Sequence, residues 1–528
     1  MGDRIETEPA KPIRRSRRER VAGATSAPAA PVVQAGDGGM AGVFRDAAAV
    51  RPGFFTLSDH KLDILRRKSI ALLAEHGFTI NHDGAVAQLV AAGARADGTR
   101  VRFPSELVEA ALRETPRQAT LYAKSDDPGL TLALPRADNT FHVRTGTGAH
   151  GFIDAESGAY RKLDRDDART LARLADGLAE IGFIAHPFVN DVPTATADIH
   201  GLATVMTNAV KHAWIQPYSA DNIGDLMHIA AAAAGGEAAL RARPVASCIA
   251  TSFTPLEIKQ MDTEAIIQCA RFGLPIHACS LPTAGGTAPV TVPGAVLMAA
   301  AEIVAMVTMA HVLGPGTPVI ATPLMFTLDM RSGRSLQSSI EAIQAAAIAI
   351  QLMKRGFGLM THTYGFGSDT PNADAQSQAE RTLLGSTVAL SGADILGGAG
   401  QLECATALSP LQLVIDNELA GMVRQSLHTP EVSDAALGWD DLLKVEPGGH
   451  FLAEAHTLAH CRDHFAPEAF ARLGRDAYEE SGRRDMMANA RDICRQVLSR
   501  DPPPGLPDDD TRAEIAAIVA AADRRAAG

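Results

Sequence analysis

Aromatic and acidic side chains recur where short β-type segments of this sequence end. The aromatic residues come from a small stock, because the 528 residues include only two Trp, five Tyr and seventeen Phe. Aromatic faces combined with carboxylates suit a quaternary ammonium group, which has no N–H to donate and is held by cation–π attraction and negative charge. The pattern therefore predicts a site for a cationic ligand, although the same aromatics could simply cap a hydrophobic core. The residues are Phe188, Trp214, Tyr218, Phe253, Phe326, Tyr364 and Phe366, with Asp191 and Glu403.

Eight β-type segments alternate with longer helical segments in the middle of the chain. The predicted strands are 141–145, 183–189, 212–216, 244–251, 275–280, 318–322, 358–363 and 394–398. The predicted helices between them include 256–272, 294–313, 336–355 and 374–391. Parallel strands need crossover connections, and strands that are apolar along their length are typical of a sheet covered on both faces. The alternation predicts an α/β protein with a (β/α)8 TIM barrel; an open, doubly wound sheet is the alternative.

The same patterns predict a domain organisation. The barrel is expected over 136–410, with a helical N-terminal extension over 51–135 and a helical C-terminal extension over 411–500. Residues 501–528 are expected to form a linker and a short helix. Residues 1–50 are basic and rich in Ala, Pro and Gly, which predicts a disordered tail. A nucleic-acid or docking arm is the alternative for that tail.

Charge and cysteine usage narrow the class of protein. The net charge of −12 argues against nucleic acid or an anionic membrane as the main partner. Six scattered cysteines without a C-x-x-C pair, and no secretory signal, predict reduced thiols in the cytoplasm. The apolar run Gly294–Gly314 is long enough to cross a membrane, but it carries Glu302 at its centre. A carboxylate is expensive at mid-bilayer, so a helix buried inside the protein is predicted.

Two sequence motifs each have a competing structural interpretation. Gly146-Thr-Gly-Ala-His-Gly151 matches the dinucleotide pattern G-x-G-x-x-G, but the following residues predict a β-hairpin around 156–158 instead of the required helix. His456, His460 and His464 have the spacing of one helix face, close to His450, and could bind a metal. A polar helix face is the competing interpretation, and no tightly bound metal is expected.

The active site of a (β/α)8 barrel lies at the carboxyl ends of its strands. This rule selects a set of polar and aromatic residues without any appeal to motif. They are Thr145, Gly146, Asn190, Asp191, Gln216, Tyr218, Phe253, Ser280, Thr283, Thr322, Phe326, His362, Tyr364, Phe366, Gln401 and Glu403.

Several strings resemble the trimethylamine methyltransferase family, the corrinoid-dependent methyltransferases that act on methylated amines. They include RRKSIALLAEHGF, HVRTGTGAHGFID, AEIVAMVTMAHVLGPGTPVI, GADILGGAGQLE and VEPGGHFLAEAHTLAH, in one order over about residues 55–500. The resemblance implies a TIM barrel that passes a methyl group from an amine to the cobalt of a separate corrinoid (cobalamin) protein. Corrinoid carriers ligate cobalt with D-x-H-x-x-G, and Asp198-Ile-His200-Gly201 is the nearest string here but lacks the final spacing. The corrinoid is therefore expected on a partner protein.

The resemblance also bears on the substrate. The family's trimethylamine enzymes carry pyrrolysine, whereas all 528 residues here are standard, which favours the non-pyrrolysine branch and a quaternary amine such as glycine betaine. A quaternary ammonium already has a neutral leaving group, so Co(I) can attack its methyl directly. The alternatives are a trimethylamine-type corrinoid methyltransferase, a metal-dependent TIM-barrel hydrolase or lyase, and a non-catalytic betaine-binding barrel. A homo-oligomer is expected.

Roles for the strand-end residues follow from that resemblance, with no covalent nucleophile among them. The aromatic residues expected to frame the ammonium are Tyr218, Phe253, Phe326, Tyr364 and Phe366. Glu403 is expected to balance its charge. The residues expected to bind a substrate carboxylate are His362, Gln216, Asn190 and Thr283, with Arg144 or Arg331 as its ion-pair partner.

Overall fold

Eight parallel strands form a closed barrel in the computed structural model, which describes residues 53–527. The strands are β1 (His142–Thr145), β2 (Ile181–Ala185), β3 (His212–Ile215), β4 (Ala246–Phe253), β5 (Ile276–Ser280), β6 (Val319–Pro323), β7 (Met360–Tyr364) and β8 (Ile395–Ala399). Each strand pairs in parallel with the next, and β8 pairs with β1. The predicted (β/α)8 barrel is confirmed, because the pairing of β8 with β1 closes what would otherwise be an open sheet. The tail predicted over 1–50 lies outside the described residues.

A helix follows every strand. The barrel helices are α1 (Arg165–Gly177), α2 (Ala197–Asn208), α3 (Ile223–Ala234), α4 (Gln260–Phe272), α5 (Val292–Leu313), α6 (Ile340–Gln351), α7 (Ala375–Leu390) and α8 (Pro410–Ser426). A short helix, Glu237–Ala242, follows α3, and one π-helical turn, Leu352–Gly356, continues α6. The eighth helix begins at Pro410, the last residue of the range expected for the barrel, and continues to Ser426.

The N-terminal residues cover one side of the barrel and its amino end. Three helices, Asp59–Glu75, Asp83–Ala91 and Ser105–Glu114, pack against α5, and the strand Phe78–Ile80 extends the sheet through Glu257–Ile258. The strand Phe78–Ile80 also pairs with the hairpin Arg95–Asp97 and Arg100–Arg102.

A second hairpin lies at the amino ends of the barrel strands. Its strands, Ala119–Leu121 and Leu132–Leu134, pair antiparallel. The backbone oxygen of Tyr122 lies 3.1 Å from His212 Nδ1, at the start of β3. The backbone oxygen of Ala133 lies 2.9 Å from His142 Nε2, at the start of β1. Histidines at the amino ends of two barrel strands therefore hydrogen-bond the hairpin to the barrel.

Small sheets stand at the opposite, carboxyl end. Gly151–Ile153 and Tyr160–Lys162 form an antiparallel hairpin, so the predicted hairpin is confirmed and no helix opens at the third glycine of the G-x-G-x-x-G string. Gln401–Leu402 and Ala407–Leu408 join that sheet. A separate sheet contains Thr283–Ala284, Phe326–Leu328 and Ser335–Leu336.

The chain after α8 wraps the outside of the barrel. Its helices are Asp434–Leu437, Trp439–Lys444, Ala455–His460, Arg475–Glu480, Met486–Leu498 and Asp509–Ala527. Met486–Leu498 packs on α1 and α8, and Asp509–Ala527 packs on α2 and α3. The predicted histidine face is wrong in part: the helix ends at His460, so His464 lies beyond it. Over 53–527, no three His, Cys, Asp or Glu side chains are grouped so that they could hold a metal ion.

The apolar run that contains Glu302 is the core helix α5. Between residues 53 and 527 it is the one helix long and apolar enough to cross a membrane, and most of it is buried inside the protein. The buried carboxylate of Glu302 accepts hydrogen bonds from the hydroxyls of Ser252 (2.6 Å), Thr254 (2.8 Å) and Ser280 (2.5 Å). It also accepts one from the backbone N–H of Leu256, at 2.7 Å. Glu302 therefore ties the carboxyl ends of β4 and β5 to α5.

Replacing Glu302 should destabilise the barrel. In Glu302→Ala, four buried donors lose their acceptor, and we expect the free energy of unfolding to fall by about 2–4 kcal/mol. Glu302→Gln keeps an acceptor oxygen, so its free energy of unfolding should fall by less. Urea unfolding measures the change, with Glu341→Ala as control because Glu341 is exposed in the first turn of α6. Unfolding of Glu302→Ala at the wild-type urea concentration would contradict this role.

Candidate active site at the carboxyl end of the barrel

A buried arginine lies inside the barrel. Arg144, on β1, is wholly buried, and its Nη1 donates to the backbone oxygen of Thr145 at 2.7 Å. Its Nε donates to His362 Nε2 on β7 at 3.3 Å. The guanidinium carbon lies 3.7 Å from the ring centroid of Trp214 on β3, a cation–π contact. Since β1, β3 and β7 are not neighbours of one another in the barrel, these contacts lie in its interior and form a floor beneath the carboxyl ends.

Among residues 53–527, no carboxylate lies within ion-pair distance of Arg144, and its Nη2 is buried without a hydrogen-bond partner. Burial lowers the pKa of Arg144 to about 9, so the guanidinium is still charged at neutral pH. Tyr364 and Cys279 face it, and burial raises the pKa of both, so both are neutral. The floor therefore carries a net positive charge.

A glycine makes room for the guanidinium. Gly397, on β8, lies so close that a Cβ there would come within 2.7 Å of both Arg144 Nη2 and His362 Nε2. Both atoms belong to side chains held by the contacts above, so they cannot move aside cheaply. The glycine of the GADILGGAG string is thus required at this position because the barrel interior is full beside it.

One wall above the floor comes from the carboxyl ends of β6, β7 and β8. Tyr364 lies one layer above His362, and its ring meets that of Phe326 edge-on, with centroids 6.2 Å apart. After β8, Gln401 Nε2 donates to Gln337 Oε1 at 3.2 Å, while Gln401 Oε1 is buried without a partner. This wall is therefore part aromatic and part amide.

A second aromatic group follows β2 and β3, on the opposite side of the barrel. The ring of Tyr218 lies 5.3 Å from that of Phe188 and 6.0 Å from that of His186, and its hydroxyl is buried without a partner. The backbone N–H of Tyr218 donates to the buried carboxylate of Asp198 at 2.8 Å. His186 Nε2 accepts the backbone N–H of Gln216 at 3.0 Å. These bonds hold the turn after β3 in place.

Four buried polar atoms in this region lack a partner in the described chain. They are Arg144 Nη2, Trp214 Nε1, the Tyr218 hydroxyl and Gln401 Oε1. A buried polar group without a hydrogen bond costs about 1–3 kcal/mol, and folded proteins leave few of them. All four belong to β1, β3 or the residues just after β3 and β8. Such a concentration is expected where a ligand completes the hydrogen bonds.

The structure brings together five of the residues that the sequence analysis selected. Tyr364 and Phe326 line one side of the barrel opening, and His362 lies below them in the floor, with both ring nitrogens bonded to Arg144 and His277. Gln216 and Tyr218 lie across from them, and Gln216 Oε1 accepts the hydroxyl hydrogen of Thr147 at 2.7 Å.

Three selected residues lie at the surface or against a helix. Phe253 is 59% exposed on the rim, with the Lys259 ammonium 4.3 Å from its ring centroid. Arg331 is exposed in the turn between Phe326–Leu328 and Ser335–Leu336. Phe366 is fully buried, but its ring lies beside Gly385 of α7 and so packs outside the barrel.

The other three serve loops beside the mouth. The amide of Asn190 donates to the backbone oxygens of His150 and Leu163. The Thr283 hydroxyl lies 3.3 Å from that of Ser335. Glu403 has left-handed backbone geometry (φ 52°) and lines a separate 560 Å³ cavity. Tyr160, Asn372, Met487 and Arg491 are among the other residues lining that cavity.

Among the residues at the floor, the strand-end rule selected His362. Trp214 was named only among the aromatic residues near strand ends, and Arg144 only as one of two possible ion-pair partners. His277, which lies within a strand, was not named. A signal existed: Arg144 is the one Asp, Glu, Lys or Arg within the eight barrel strands, and His277 and His362 each lie inside a strand. Gln337, between β6 and α6, gave no signal of this kind, since it comes close to Gln401 only through the folding of two loops.

Asp198 and His200, in the string nearest to a cobalt-ligating motif, both bond to other elements of this chain. Asp198 accepts hydrogen bonds from Tyr218 and from the amide of Asn222. His200 Nε2 lies 3.0 Å from the carboxylate of Asp523 in the last helix. Both side chains therefore hold elements of this chain together.

Arg144→Met should unfold at a higher urea concentration than the wild type at pH 7, because the folded protein buries this charge without compensation. The folded-state pKa, about 9, lies below the ordinary 12.5, so the charged form costs folding free energy at every pH below about 9. We expect a gain of about 1–3 kcal/mol without ligand. Arg331→Met is the control, since Arg331 is exposed. A less stable Arg144→Met would show that the arginine stabilises the fold.

Comparison with known proteins agrees with the fold and identifies the family. A trimethylamine methyltransferase family model matches residues 20–527. Trimethylamine methyltransferase MttB of Desulfitobacterium hafniense (strain DSM 10664 / DCB-2) is 28% identical over 472 residues, 89% of this chain and 94% of the relative. Glycine betaine methyltransferase of D. hafniense (strain Y51) is 28% identical over 476 residues, 89% of this chain and 97% of the relative.

A solved structure shows the same fold. The Methanosarcina barkeri monomethylamine methyltransferase (MtmB) superposes with a TM-score of 0.53 at 13% identity, over 85% of this chain and 88% of that one. The family match spans the barrel and both extensions. The chain therefore belongs to the trimethylamine methyltransferase family.

Proposed function

We propose that this protein is an enzyme that transfers a methyl group from a betaine to the Co(I) centre of a corrinoid held by a separate protein. A betaine here means a quaternary amine that also carries a carboxylate, such as glycine betaine. One observation carries the choice of substrate: the buried, uncompensated guanidinium of Arg144. The names of the two relatives support the reaction class, since one acts on trimethylamine and the other on glycine betaine.

The charge of Arg144 discriminates between candidate amines. A substrate cation without an anionic group would be repelled by about 3 kcal/mol at a separation of about 6 Å and an effective dielectric constant of about 20. A betaine avoids this cost when its carboxylate lies on the guanidinium and its ammonium lies farther up. Arg144 therefore favours a zwitterion over trimethylammonium or choline.

Two of the four unpartnered atoms are placed to bind the carboxylate. Arg144 Nη2 and Trp214 Nε1 are donors that would bind the carboxylate oxygens. Tyr364 and Phe326 on one side, with Tyr218 on the other, would surround the ammonium through cation–π contacts. In this orientation the carboxylate points to the floor and an N-methyl group points to the opening of the barrel.

The residues of this chain bind and orient, and none forms a covalent bond. The corrinoid supplies Co(I), whose electron pair forms the new bond to the methyl carbon. The carbon–nitrogen bond breaks, and its electron pair stays on nitrogen as a neutral tertiary amine. No proton is transferred, so no acid or base is required. The enclosed site contributes by holding the methyl in line and by excluding water.

The proposal includes a partner that brings the corrinoid to the mouth. Support comes from Asp198 and His200, the nearest match to a cobalt-ligating string, which are both engaged in the fold. A cytoplasmic location is proposed as well, supported by the cysteines of this chain, all six of which are free thiols. Assembly into a homo-oligomer remains a prediction from the sequence.

A substrate panel tests the function. The purified enzyme is mixed with Co(I) cobalamin and one amine at a time, and methyl-Co(III) absorbance is followed. We expect methyl-Co(III) to form with glycine betaine and little of it to form with choline or trimethylamine. Choline keeps the ammonium but has a hydroxyl in place of the carboxylate, and trimethylamine has no carboxylate. Equal rates with choline and glycine betaine would contradict the role of the carboxylate.

The matched variant in the same assay is Arg144→Met. Losing a charge-assisted hydrogen bond to the carboxylate should lower kcat/KM for glycine betaine about 10–100-fold, mainly through KM. Arg331→Met should behave as the wild type. If Arg144→Met kept the wild-type KM, the carboxylate would not bind at the floor.

A second pair of variants tests the aromatic wall. Tyr364→Leu removes a ring from the ammonium, and we expect kcat/KM for glycine betaine to fall about 5–30-fold, since a desolvated cation–π contact contributes about 1–2 kcal/mol. Tyr364→Phe keeps the ring and should stay within about 3-fold of the wild type. Phe253→Leu should have no effect if the exposed rim position does not touch the ammonium. Equal losses in Tyr364→Phe and Tyr364→Leu would assign the effect to the hydroxyl.

A further inference from the structure

A line of hydrogen bonds runs from Arg144 down through the interior of the barrel. Arg144 Nε and His362 Nε2 are 3.3 Å apart, and His362 Nδ1 and His277 Nδ1 are also 3.3 Å apart. His277 Nε2 lies 3.0 Å from the hydroxyl of Ser247. All four residues are fully buried and lie on β1, β7, β5 and β4. The line therefore crosses the barrel from strand to strand.

The line ends on the hairpin at the amino end. The Ser247 hydroxyl lies 3.0 Å from His212 Nε2, and His212 Nδ1 lies 3.1 Å from the backbone oxygen of Tyr122. Aromatic rings hold the imidazoles in place: Phe183 stacks on His277, and Trp214 meets His277 edge-on. Five hydrogen bonds thus connect the hairpin to the guanidinium.

Each hydrogen bond in this line has one possible donor and one possible acceptor. Burial lowers the pKa of His212 to about 3 and the pKa values of His277 and His362 well below the ordinary 6.5, so all three imidazoles are neutral. A neutral imidazole has one donor and one acceptor.

At the amino end, the Tyr122 oxygen can only accept, so His212 carries its hydrogen on Nδ1 and accepts the Ser247 hydroxyl at Nε2. Ser247 then accepts from His277 Nε2, and His277 Nδ1 accepts from His362 Nδ1. His362 Nε2 remains as the acceptor for Arg144, whose Nε can only donate. The assignments that start from the two ends agree, so every hydrogen bond in the line pairs one donor with one acceptor.

We infer that His362, His277, Ser247 and His212 are positioning residues that orient Arg144 for the substrate carboxylate. This inference rests on the proposed function. The usual partner of a buried arginine is a carboxylate, which would neutralise the guanidinium and compete with the substrate. A neutral imidazole nitrogen fixes the direction of Nε–H and leaves the positive charge intact. Nη2 therefore stays available.

The line does not serve as a proton relay. It ends on a peptide oxygen, which cannot take up a proton at neutral pH, and its members are buried. The proposed methyl transfer also moves no proton. Orientation of the guanidinium is the role that remains.

Two substitutions at residue 362 separate the two bonds of its imidazole. In His362→Gln the side-chain oxygen reaches the position of Nε2 and still accepts from Arg144. In His362→Asn the amide matches the Nδ1 position, keeps the donor to His277 and leaves Arg144 without an acceptor. We expect KM for glycine betaine within about 3-fold of the wild type in His362→Gln and at least about 10-fold higher in His362→Asn, with kcat within 3-fold in both.

A purely structural role of His362 predicts no difference between the two variants. Each variant loses one buried hydrogen bond, so both would then shift stability and KM alike, and that result would overturn the inference.

A more distant link is tested by Ser247→Ala, which should raise KM about 3-fold or more at unchanged kcat. Its control is Ser69→Ala, a buried serine that bonds the backbone oxygen of Leu65 outside the barrel. Equal KM values for these two serine variants would also count against the inference.

The hydrogen positions give a readout that does not depend on turnover. Neutron diffraction, or nitrogen NMR of histidine-labelled protein, should find the hydrogen on Nδ1 of His212, Nε2 of His277 and Nδ1 of His362. Any other pattern overturns the directed line, whatever the activity. If this pattern is found but glycine betaine is not demethylated, the proposed function falls and the line stands.

Discussion

A positive charge that residues 53–527 bury without a counter-charge is the constraint on which this structure depends. Transferring a guanidinium out of water costs several kcal/mol, and a buried carboxylate would ordinarily reduce that cost. Around Arg144 the described chain instead offers the face of Trp214, the backbone oxygen of Thr145 and a neutral imidazole nitrogen of His362. These contacts hold the group while leaving its charge exposed to whatever enters the mouth. Under the proposed function, the folding free energy that this burial costs would be recovered when the substrate carboxylate binds.

The same constraint explains why this barrel interior departs from the aliphatic packing usual in (β/α)8 barrels. Histidines and a serine occupy positions on β3, β4, β5 and β7 that would otherwise hold branched apolar residues. They connect the guanidinium to the hairpin at the amino end, so the inferred orientation of Arg144 depends on residues from both ends of the barrel. Outside the strands, Glu302 secures the carboxyl ends of β4 and β5 from α5. The barrel mouth is therefore held both from within and from the helical layer.

Prediction from sequence succeeded where a local pattern reports directly on structure. Strands such as HAWIQ and PIHACS, each separated by an apolar helix, are visible without any tertiary information, and all eight lie where expected within a few residues. The strand-end rule placed Tyr364 and Phe326 near the barrel opening because β7 ends at Tyr364 and Phe326 follows the end of β6 by three residues. Phe366 shows the limit of that rule. The alternation of faces holds only while the chain is a strand, and after Tyr364 the chain turns, so Phe366 packs beside Gly385 of α7.

The sequence by itself determined the eight βα units, the burial of the helix around Glu302 and the family, because these depend on periodicity and on matching strings. Only the tertiary structure decided which polar atoms lack a partner. Arg144, His277 and His362 are far apart in the chain, and their contacts depend on the register of strands around a closed barrel. Whether a charged side chain finds a carboxylate or a neutral imidazole is settled by that register, and the sequence carries no local signal of it.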